Sequence, residues 1–525
     1  MHHLVARKAV TVWIVLAISS FSFAGSSAPQ VKTRLGTVEG KDDGKVKTFL
    51  GIPYAAPPVG ELRWKAPAPA AKWGGVKKVT EFGSHCLQGN VFGDMVFHDP
   101  GGSEDCLTLN VWVADKHVDP KLPVMVWIYG GGFVAGTTSE ARQNGYNLAQ
   151  QGVIVVSMNY RLGVFGFLVH PELAAESGHN SAGNYGLLDQ LAALQWVRDN
   201  IAAFGGDPGN VTIFGESAGS FSVSAQMASP LAKGLFQRAI GESGAAFSRS
   251  GLSFDAMSAR AEKDAKLVKE KLGTSTLAEL RAVPAEKLLA PFVPPQSRGF
   301  DFGPDVDGYF LPESVSAVFA AGKQNDAALI AGWNHDEGSF EIAYSPQKPT
   351  LESFKATAKK DFGDKADEFL KLYPADTDEH ALRSAQDYAG DTFIALSTWA
   401  WIEAQSKTGK QSVYRYRFDM APFSKNPNAP RMGAYHSAEI EYVFGQLDSK
   451  TDVTWRNSDR QVSEVMQKFW ANFAKNGNPN GPGLPKWPPY TASDGWPVMI
   501  LSAEPSAHKD ALRDRYLFLS KEWAK

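Results

Sequence analysis

The pattern of apolar and polar positions predicts a chain in which buried strands alternate with helices. The runs LPVMVWIYG and GVIVVSMNY are almost wholly apolar, as is typical of strands covered on both faces. Residues 186–204 place leucine, valine and isoleucine at helical spacing. Shorter apolar runs predict strands at LTLNVWVA, NVTIF, RAIG, AALIAG, SVYRYRF and WPVMIL. Because strands alternate with helices, the pattern favours a large, mostly parallel sheet between helix layers.

Two segments of the chain differ from this alternation of strands and helices. Residues 31–55 alternate polar and apolar positions around Asp43-Gly44, which predicts antiparallel strands joined by a hairpin. Residues 251–400 are more helical and have charged faces, which indicates a helical elaboration over the sheet. We therefore predict one α/β domain over residues 25–525.

Composition narrows the classes of partner. The chain has 525 residues, is 43% hydrophobic and 21% charged, and has a formal net charge of −3. This is an ordinary globular composition with ample length for a large core. Because the near-neutral charge balance provides no basic stripe, we expect no nucleic-acid partner.

The first 24 residues have the layout of a secretory signal peptide. Arg7 and Lys8 precede an apolar run, and the small residues Ser22 and Ala24 end it. Cleavage after about Ala24 predicts a secreted or periplasmic protein. The uninterrupted apolar part is shorter than the roughly 20 residues that a membrane span needs, so we expect no stable membrane anchor.

The chain has two cysteines, Cys86 and Cys106. In an oxidising compartment such an isolated pair favours one disulfide, with two free buried thiols as the alternative. A metal site is less favoured, because neither a Cys-x-x-Cys motif nor paired-histidine spacing accompanies the cysteines.

The segment FGESAGS places Ser217 in a Gly-x-Ser-x-Gly pattern directly after the predicted strand NVTIF. The pentapeptide alone also fits an ordinary tight turn. The segment SFSVSAQMAS after it can form a helix, and a strand-to-helix corner is the setting of a nucleophile elbow. In such an elbow the glycines remove side chains that would collide with neighbouring backbone.

The run WIYGGGFVAG follows another buried strand and has three successive glycines. Glycines leave backbone N–H groups uncovered, so the amides of Gly131, Gly132 and Ala218 make a plausible oxyanion hole. A flexible turn is the alternative interpretation of this glycine run.

Several motifs together resemble the type-B carboxylesterases, the α/β-hydrolase family that includes the cholinesterases. The resemblance covers nearly the whole mature chain and implies the α/β-hydrolase fold. The matching segments, in the family's order, are FLGIPYAAPPVGELRW, SEDCLTLNV, VWIYGGGF, MNYRLGVFGF, GNYGLLDQLAALQWVRDNIAAFGGDPGNVTIFGESAG, DGYFLP, AGWNHDEGSF and HSAEIEYVFG.

The resemblance also implies the partners of the serine, in the order serine, acid, histidine. The acid in NHDEG is expected to be Glu337, with its neighbour Asp336 as the competing candidate. The histidine is expected to be His436, which matches the family's His-x-x-Glu-Ile segment. His380 and His508 also follow Glu337, but they lie in polar, solvated segments.

The resemblance places the Cys86–Cys106 loop at the rim of the active-site gorge. The cholinesterases carry a choline-binding tryptophan in this loop, and the present loop has none. We therefore expect an apolar rim rather than a cation site. The rim residues are Phe92, Met95, Val96 and Phe97. Ser243 in GESGA matches a second serine that is often found near the triad.

These features predict a serine carboxylesterase that acts on small-molecule esters through an acyl-enzyme and needs no metal or organic cofactor. Asp305 and Asp307 in PDVDGYFLP are interpreted as structural, since the closing acidic position of a calcium loop falls on Ser314. The alternatives are a non-catalytic binding or adhesion member of the same fold, and a hydrolase of amide, thioester or lactone bonds.

Overall fold

The computed structural model describes residues 28–115, 121–247 and 254–523. The predicted signal peptide, residues 1–24, lies outside the described residues. The centre of the molecule is a sheet of eleven strands. In chain order they are β1 (Lys41–Asp42), β2 (Val46–Pro53), β3 (Thr108–Ala114), β4 (Leu122–Ile128), β5 (Ile154–Met158), β6 (Gly206–Glu216), β7 (Arg238–Glu242), β8 (Ala328–Asn334), β9 (Val413–Phe418), β10 (Pro497–Leu501) and β11 (Ser506–Lys509).

The spatial order of the sheet is β1-β2-β3-β5-β4-β6-β7-β8-β9-β10-β11, so β4 and β5 are exchanged relative to the chain. The seven strands from β5 to β10 in this order are parallel to one another. Strands at both edges are antiparallel, including the hairpin of β1 and β2 that turns at Asp43-Gly44. The predicted mostly parallel sheet and the predicted hairpin are both confirmed.

Among the described residues, eight helices have eleven residues or more. They are α1 (Tyr185–Asn200), α2 (Ala218–Ala228), α3 (Met257–Leu272), α4 (Leu351–Phe362), α5 (Asp378–Gly390), α6 (Leu396–Thr408), α7 (Asn457–Asn476) and α8 (Arg513–Trp523). Shorter α-helices are Tyr146–Ala149, Gly163–Phe167, Pro171–Glu176, Leu277–Ala282, Ala285–Leu289, Val315–Ala320, Ser339–Ala343, Ala366–Leu372 and Ile440–Val443. No helix among the described residues combines the length and apolarity needed to cross a bilayer.

The remaining strands form small sheets outside the central one. One sheet has three strands, Gln30–Lys32, Thr37–Glu39 and Val76–Lys78. Three two-stranded sheets pair Asp255–Ala256 with Asp305–Val306, Phe423–Ser424 with Val453–Thr454, and His85–Cys86 with Gly102–Ser103. The last of these sheets contains Cys86, whose disulfide partner is Cys106.

The apolar strands predicted from the sequence form the core. Every residue of β4 and of β5 is buried, because helices cover both faces of a parallel sheet. Helix α2 packs against β4, β6 and β7, and α7 packs against β4 and β6. The loops that follow the carboxyl ends of parallel strands therefore meet at one edge of the sheet, where ligands bind in such folds.

A buried ion pair joins the loop after β5 to helix α1. The Arg161 guanidinium donates to both carboxylate oxygens of Asp189 at 2.7 and 2.8 Å. Both side chains are almost fully buried. Because neither charge can reach water, each depends on the other.

We expect Asp189→Asn to lower the free energy of unfolding by about 3–5 kcal/mol, since it leaves the Arg161 charge buried without a counter-charge. The urea midpoint of unfolding measures this loss. Asp199→Asn is the control, because Asp199 pairs with exposed arginines and should cost less than about 1 kcal/mol. Equal midpoint shifts for the two variants would contradict the prediction.

Candidate active site

Ser217 occupies a sharp corner between the end of β6 and the start of α2. Its backbone has φ +52° and ψ −123°, a conformation that a non-glycine residue rarely adopts. The Ser217 N–H donates to the carbonyl of Glu242 at 2.8 Å, which ties the corner to the end of β7. The neighbouring strands therefore hold the corner in this strained conformation.

The glycines on either side of Ser217 are required by close approach to β4. A Cβ added to Gly219 would lie 1.9 Å from the carbonyl oxygen of Ile128. A Cβ added to Gly215 would lie 2.6 Å from the same oxygen. Any side chain at either position would collide with backbone, so the Gly-x-Ser-x-Gly pattern is a steric requirement of this corner.

The structure brings Ser217, His436 and Glu337 together, although they are far apart in the sequence. His436 Nε2 lies 3.0 Å from Ser217 Oγ, and His436 Nδ1 lies 2.7 Å from Glu337 Oε2. Glu337 is in the loop after β8, and His436 is in the loop after β9. A serine hydroxyl in contact with an imidazole that a carboxylate orients can be activated as a nucleophile.

The second carboxylate oxygen of Glu337 is also held. Glu337 Oε1 accepts hydrogen bonds from the Asn334 N–H at 2.8 Å and from Ser243 Oγ at 2.5 Å. Ser243 lies just after β7 and also has a positive φ, of +53°. Its hydroxyl therefore contacts Glu337 rather than Ser217.

The predicted oxyanion residues lie on two segments beside Ser217. Gly131 and Gly132 follow β4 with φ of +103° and +63°, and Ala218 is the first residue of α2. Within the described residues the N–H groups of these three residues donate no hydrogen bond. Unpaired N–H groups beside a nucleophilic serine can donate hydrogen bonds to a developing oxyanion and so stabilise its negative charge.

The disulfide loop packs against the glycine loop that follows β4. Gln88 exchanges two hydrogen bonds with the backbone of Gly136, at 2.7 and 2.8 Å. A Cβ added to Gly132 would lie 2.5 Å from the Phe300 ring, and a Cβ added to Gly131 would lie 2.2 Å from the Ala135 carbonyl oxygen and 3.2 Å from the Met95 methyl carbon. Both apolar groups therefore stand directly beside the predicted oxyanion hole.

The four predicted rim residues have different surroundings. Phe92 contacts the Phe300 ring edge-on at 6.0 Å between centroids. Val96 is 61% exposed. Phe97 packs on the ring of His85, the residue before Cys86, at 5.0 Å between centroids. The apolar surface at the site thus comes from Phe92, Met95 and Phe300.

The aromatic ring of Phe393 contacts His436, the candidate for the catalytic histidine. The Phe393 ring lies 5.1 Å from the His436 ring at an interplanar angle of 72°, and 38% of Phe393 is exposed. Phe393 belongs to a π-helical turn, Asp391–Ala395, between α5 and α6. Such turns re-aim side chains and are frequent at functional sites.

The other residues considered from the sequence lie elsewhere. His380 and His508 are exposed, and they contact Asp376 and Ser506. Asp305 is fully buried in the short strand Asp305–Val306. The described residues contain no group of three or more histidine, cysteine, aspartate or glutamate side chains arranged to hold a metal.

Comparison with known proteins gives consistent matches over almost the whole chain. A model of the carboxylesterase family matches residues 27–518. Para-nitrobenzyl esterase of Bacillus subtilis is 39% identical over 91% of this chain and 96% of its own length. Fumonisin B1 esterase of Sphingopyxis macrogoltabida is 37% identical over 87% of this chain and 83% of its own length. A solved PNB esterase covers 95% of this chain and 99% of its own, with a TM-score of 0.80 and 35% identity.

The chain belongs to the carboxylesterase family. It is a carboxylic ester hydrolase with the α/β-hydrolase fold, as the resemblance of its motifs implied. Its substrates are small-molecule esters.

Three residues of this carboxylesterase site were not singled out from the sequence. Glu216 was visible as the variable position of the Gly-x-Ser-x-Gly pattern, but no signal there indicated a contact with the histidine. Phe300 and Phe393 lie in segments without any catalytic motif. Only the folded chain brings these two rings to the site.

Glu216 places a second carboxylate beside the imidazole of His436. Its Oε1 lies 3.3 Å from His436 Nε2, and the Glu216 side chain is 4% exposed. Burial acts to lower the pKa of His436, but the carboxylates of Glu216 and Glu337 raise it more, so it lies above the ordinary value of 6.5. Burial in turn raises the pKa of Glu216.

We expect the acid limb of the kcat/KM profile to lie above pH 6.5, because only the neutral imidazole can take the Ser217 proton. Glu216→Gln removes a negative charge that favours imidazolium, so it should move this limb to lower pH by roughly one unit. Profiles measured with an uncharged ester test both statements. A limb that stays in place or moves upward in the variant would contradict the role of Glu216.

Proposed function

We propose that Ser217 is the nucleophile of ester hydrolysis, that His436 is its general base and that Glu337 orients the histidine. The observation that supports this proposal is the unbroken chain of contacts from Ser217 Oγ through His436 to Glu337, at 3.0 and 2.7 Å. Ser217 Oγ attacks the ester carbonyl carbon while His436 Nε2 takes its proton. Glu337 stabilises the imidazolium that forms.

The remaining steps use the same groups. The N–H groups of Gly131, Gly132 and Ala218 donate to the oxyanion of the tetrahedral intermediate. His436 then protonates the leaving alcohol, and the acyl group stays on Ser217. Water, deprotonated by His436, hydrolyses this acyl-enzyme and restores the free serine.

We further propose that the preferred substrates are uncharged apolar or aromatic esters. The Phe300 ring and the Met95 methyl group flank the oxyanion glycines, and the Phe393 ring flanks His436. An apolar chain gains about 25 cal/mol for each Å² that it buries against such walls. The name of one relative, para-nitrobenzyl esterase, refers to an aromatic ester.

We also propose export to the periplasm or the medium. The Cys86–Cys106 disulfide is typical of an oxidising compartment. The basic, apolar and small-residue layout of residues 1–24 supports the same compartment.

The nucleophile is tested with Ser217→Ala. Turnover should fall by roughly 10⁶-fold without loss of the fold, because no other group can form the acyl-enzyme. In the wild type, an organophosphonate should label Ser217 and abolish turnover, as shown by peptide mass spectrometry. Stoichiometric labelling of another serine, with Ser217 unmodified, would disprove the assignment.

The substrate preference is tested with esters that share one acyl group. We expect kcat/KM for 3,3-dimethylbutyl butyrate to exceed that for butyrylcholine, because the disulfide loop lacks a tryptophan to hold the cation. If the uncharged ester is poorer by tenfold or more, the protein has a cation site.

The contribution of the Phe393 ring, which flanks His436, is tested with the same kcat/KM assay. Phe393→Ala should lower kcat/KM for benzyl butyrate more than for methyl butyrate, since only the larger ester reaches the ring. Phe423→Ala is the matched control, because Phe423 is 52% exposed and packs beside Arg456. Equal losses for the two esters in Phe393→Ala would contradict a role of this ring in selectivity.

A further inference from the structure

Two loops supply the acid and the base of the site. We call residues 334–337, which begin at the last residue of β8, the acid loop, and residues 433–436, after β9, the base loop. They are about 100 residues apart in the sequence, and the two side chains must meet within hydrogen-bond distance. What holds these loops together therefore decides whether the base reaches Ser217.

Asp336 joins the two loops through its backbone and its side chain. The Asp336 N–H donates to the Ala434 carbonyl at 2.9 Å. The Ala434 N–H donates back to Asp336 Oδ2 at 2.8 Å. Asp336 thus pairs with both backbone polar groups of Ala434, two positions before His436.

A second residue of the acid loop adds a parallel contact. The Asn334 side-chain amide donates to the Tyr435 carbonyl at 2.8 Å. The two loops are therefore joined at residues 434 and 435 as well as by the side chains of Glu337 and His436. These contacts hold the base loop in place relative to the acid loop.

The Asp336 carboxylate is itself fixed from the other side. Its Oδ1 accepts a hydrogen bond from the Arg383 guanidinium on α5, which also pairs with Asp387. Burial acts to raise the pKa of Asp336, but His335 and Arg383 outweigh it, so the pKa lies below the usual range. The carboxylate is thus charged and held in one orientation.

The base loop approaches this carboxylate as closely as the backbone allows. Gly433 has φ +67°, and a Cβ added there would lie 2.1 Å from Asp336 Oδ2. The Asp336 side chain is 12% exposed, and Ala434 is 1% exposed. Water therefore cannot readily replace the carboxylate as the acceptor for the Ala434 N–H.

We propose that Asp336 is a positioning residue of the reaction, which sets the place of His436 by accepting the Ala434 N–H. This inference rests on the proposed roles of Ser217, Glu337 and His436. Asp336 makes no contact with His436 or Ser217 among the contacts of the described residues. Its carboxylate acts on the base loop, and its neighbour Glu337 acts on the imidazole.

The expected effect follows from geometry. A shift of the base loop by about 1 Å lengthens the contacts of His436 with both Ser217 and Glu337, and a misplacement of this size costs about 10²-fold in rate. Substrate binding depends on the aromatic walls, which Asp336 does not touch. The loss should therefore appear in kcat and leave KM nearly unchanged.

The test compares Asp336→Ala with Asp336→Asn. The alanine variant leaves the buried Ala434 N–H without an acceptor, so kcat should fall by roughly 30- to 100-fold while KM stays within about threefold. The asparagine variant keeps one oxygen that can accept from Ala434, while Arg383, which is 40% exposed, turns from the amide NH2 to its other partner Asp387, so kcat should stay within about threefold of the wild type. Glu337→Gln should lose more than either variant, on the order of 10³ to 10⁴ in kcat.

Asp387→Asn is the matched control, since it removes a carboxylate from the same Arg383 network without touching the base loop. Its kcat should stay near that of the wild type, even if its melting temperature falls as much as that of Asp336→Ala. If Asp336→Ala keeps its kcat, loses through KM instead, or matches either Asp336→Asn or Asp387→Asn in kcat, the inference is wrong.

A variant from the other loop covers the case in which Asp336→Ala gives no folded protein. Gly433→Ala places a methyl group against Asp336 Oδ2, so it should lower kcat by roughly tenfold with KM unchanged. An unchanged kcat would overturn the inference. An organophosphonate that leaves Ser217 of the wild type unlabelled would instead overturn the proposed function.

Discussion

The active site depends on the close approach of two backbones, at the end of β4 and at the corner after β6. Gly215 and Gly219 both pack on the Ile128 carbonyl, where no side chain fits. This approach forces Ser217 into its strained conformation, which costs on the order of 1–3 kcal/mol and persists because buried strands surround it. The same approach brings the glycine loop to the serine, since a Cβ added to Gly130 would lie 3.0 Å from Ser217 Cβ.

The acid and the base need a second constraint, because β8 and β9 only bring their loops to the same edge of the sheet. Hydrogen bonds join the acid loop to residues 434 and 435, directly before His436. Two carboxylates lie beside the imidazole of His436. Glu337 uses one oxygen for His436 and the other for Ser243 and Asn334, while Glu216 approaches the opposite nitrogen of the imidazole.

Much of the fold could be predicted from local patterns. Continuous apolar runs identified the buried strands β4 and β5, and the Asp43-Gly44 turn identified the first hairpin. The elbow at Ser217 was recognisable because Gly215 and Gly219 lie only two positions before and after it in the chain. Phe97 packs on His85, a contact that the sequence of an irregular loop does not show.

The sequence by itself determined the strand and helix types, the elbow at Ser217 and the candidates for its partners. The element types and the elbow depend on neighbouring residues, whose steric and apolar requirements are readable in order along the chain, whereas the candidate partners came from the resemblance of the motifs to the family. The resemblance favoured Glu337 over Asp336, and the tertiary structure shows what each carboxylate contacts: Glu337 faces His436, and Asp336 accepts from the Ala434 N–H. The tertiary structure also brought Glu216, Phe300 and Phe393 to the reacting groups. Such contacts arise from the register of packed strands and from a π-helical turn, and no local pattern encodes where distant segments meet.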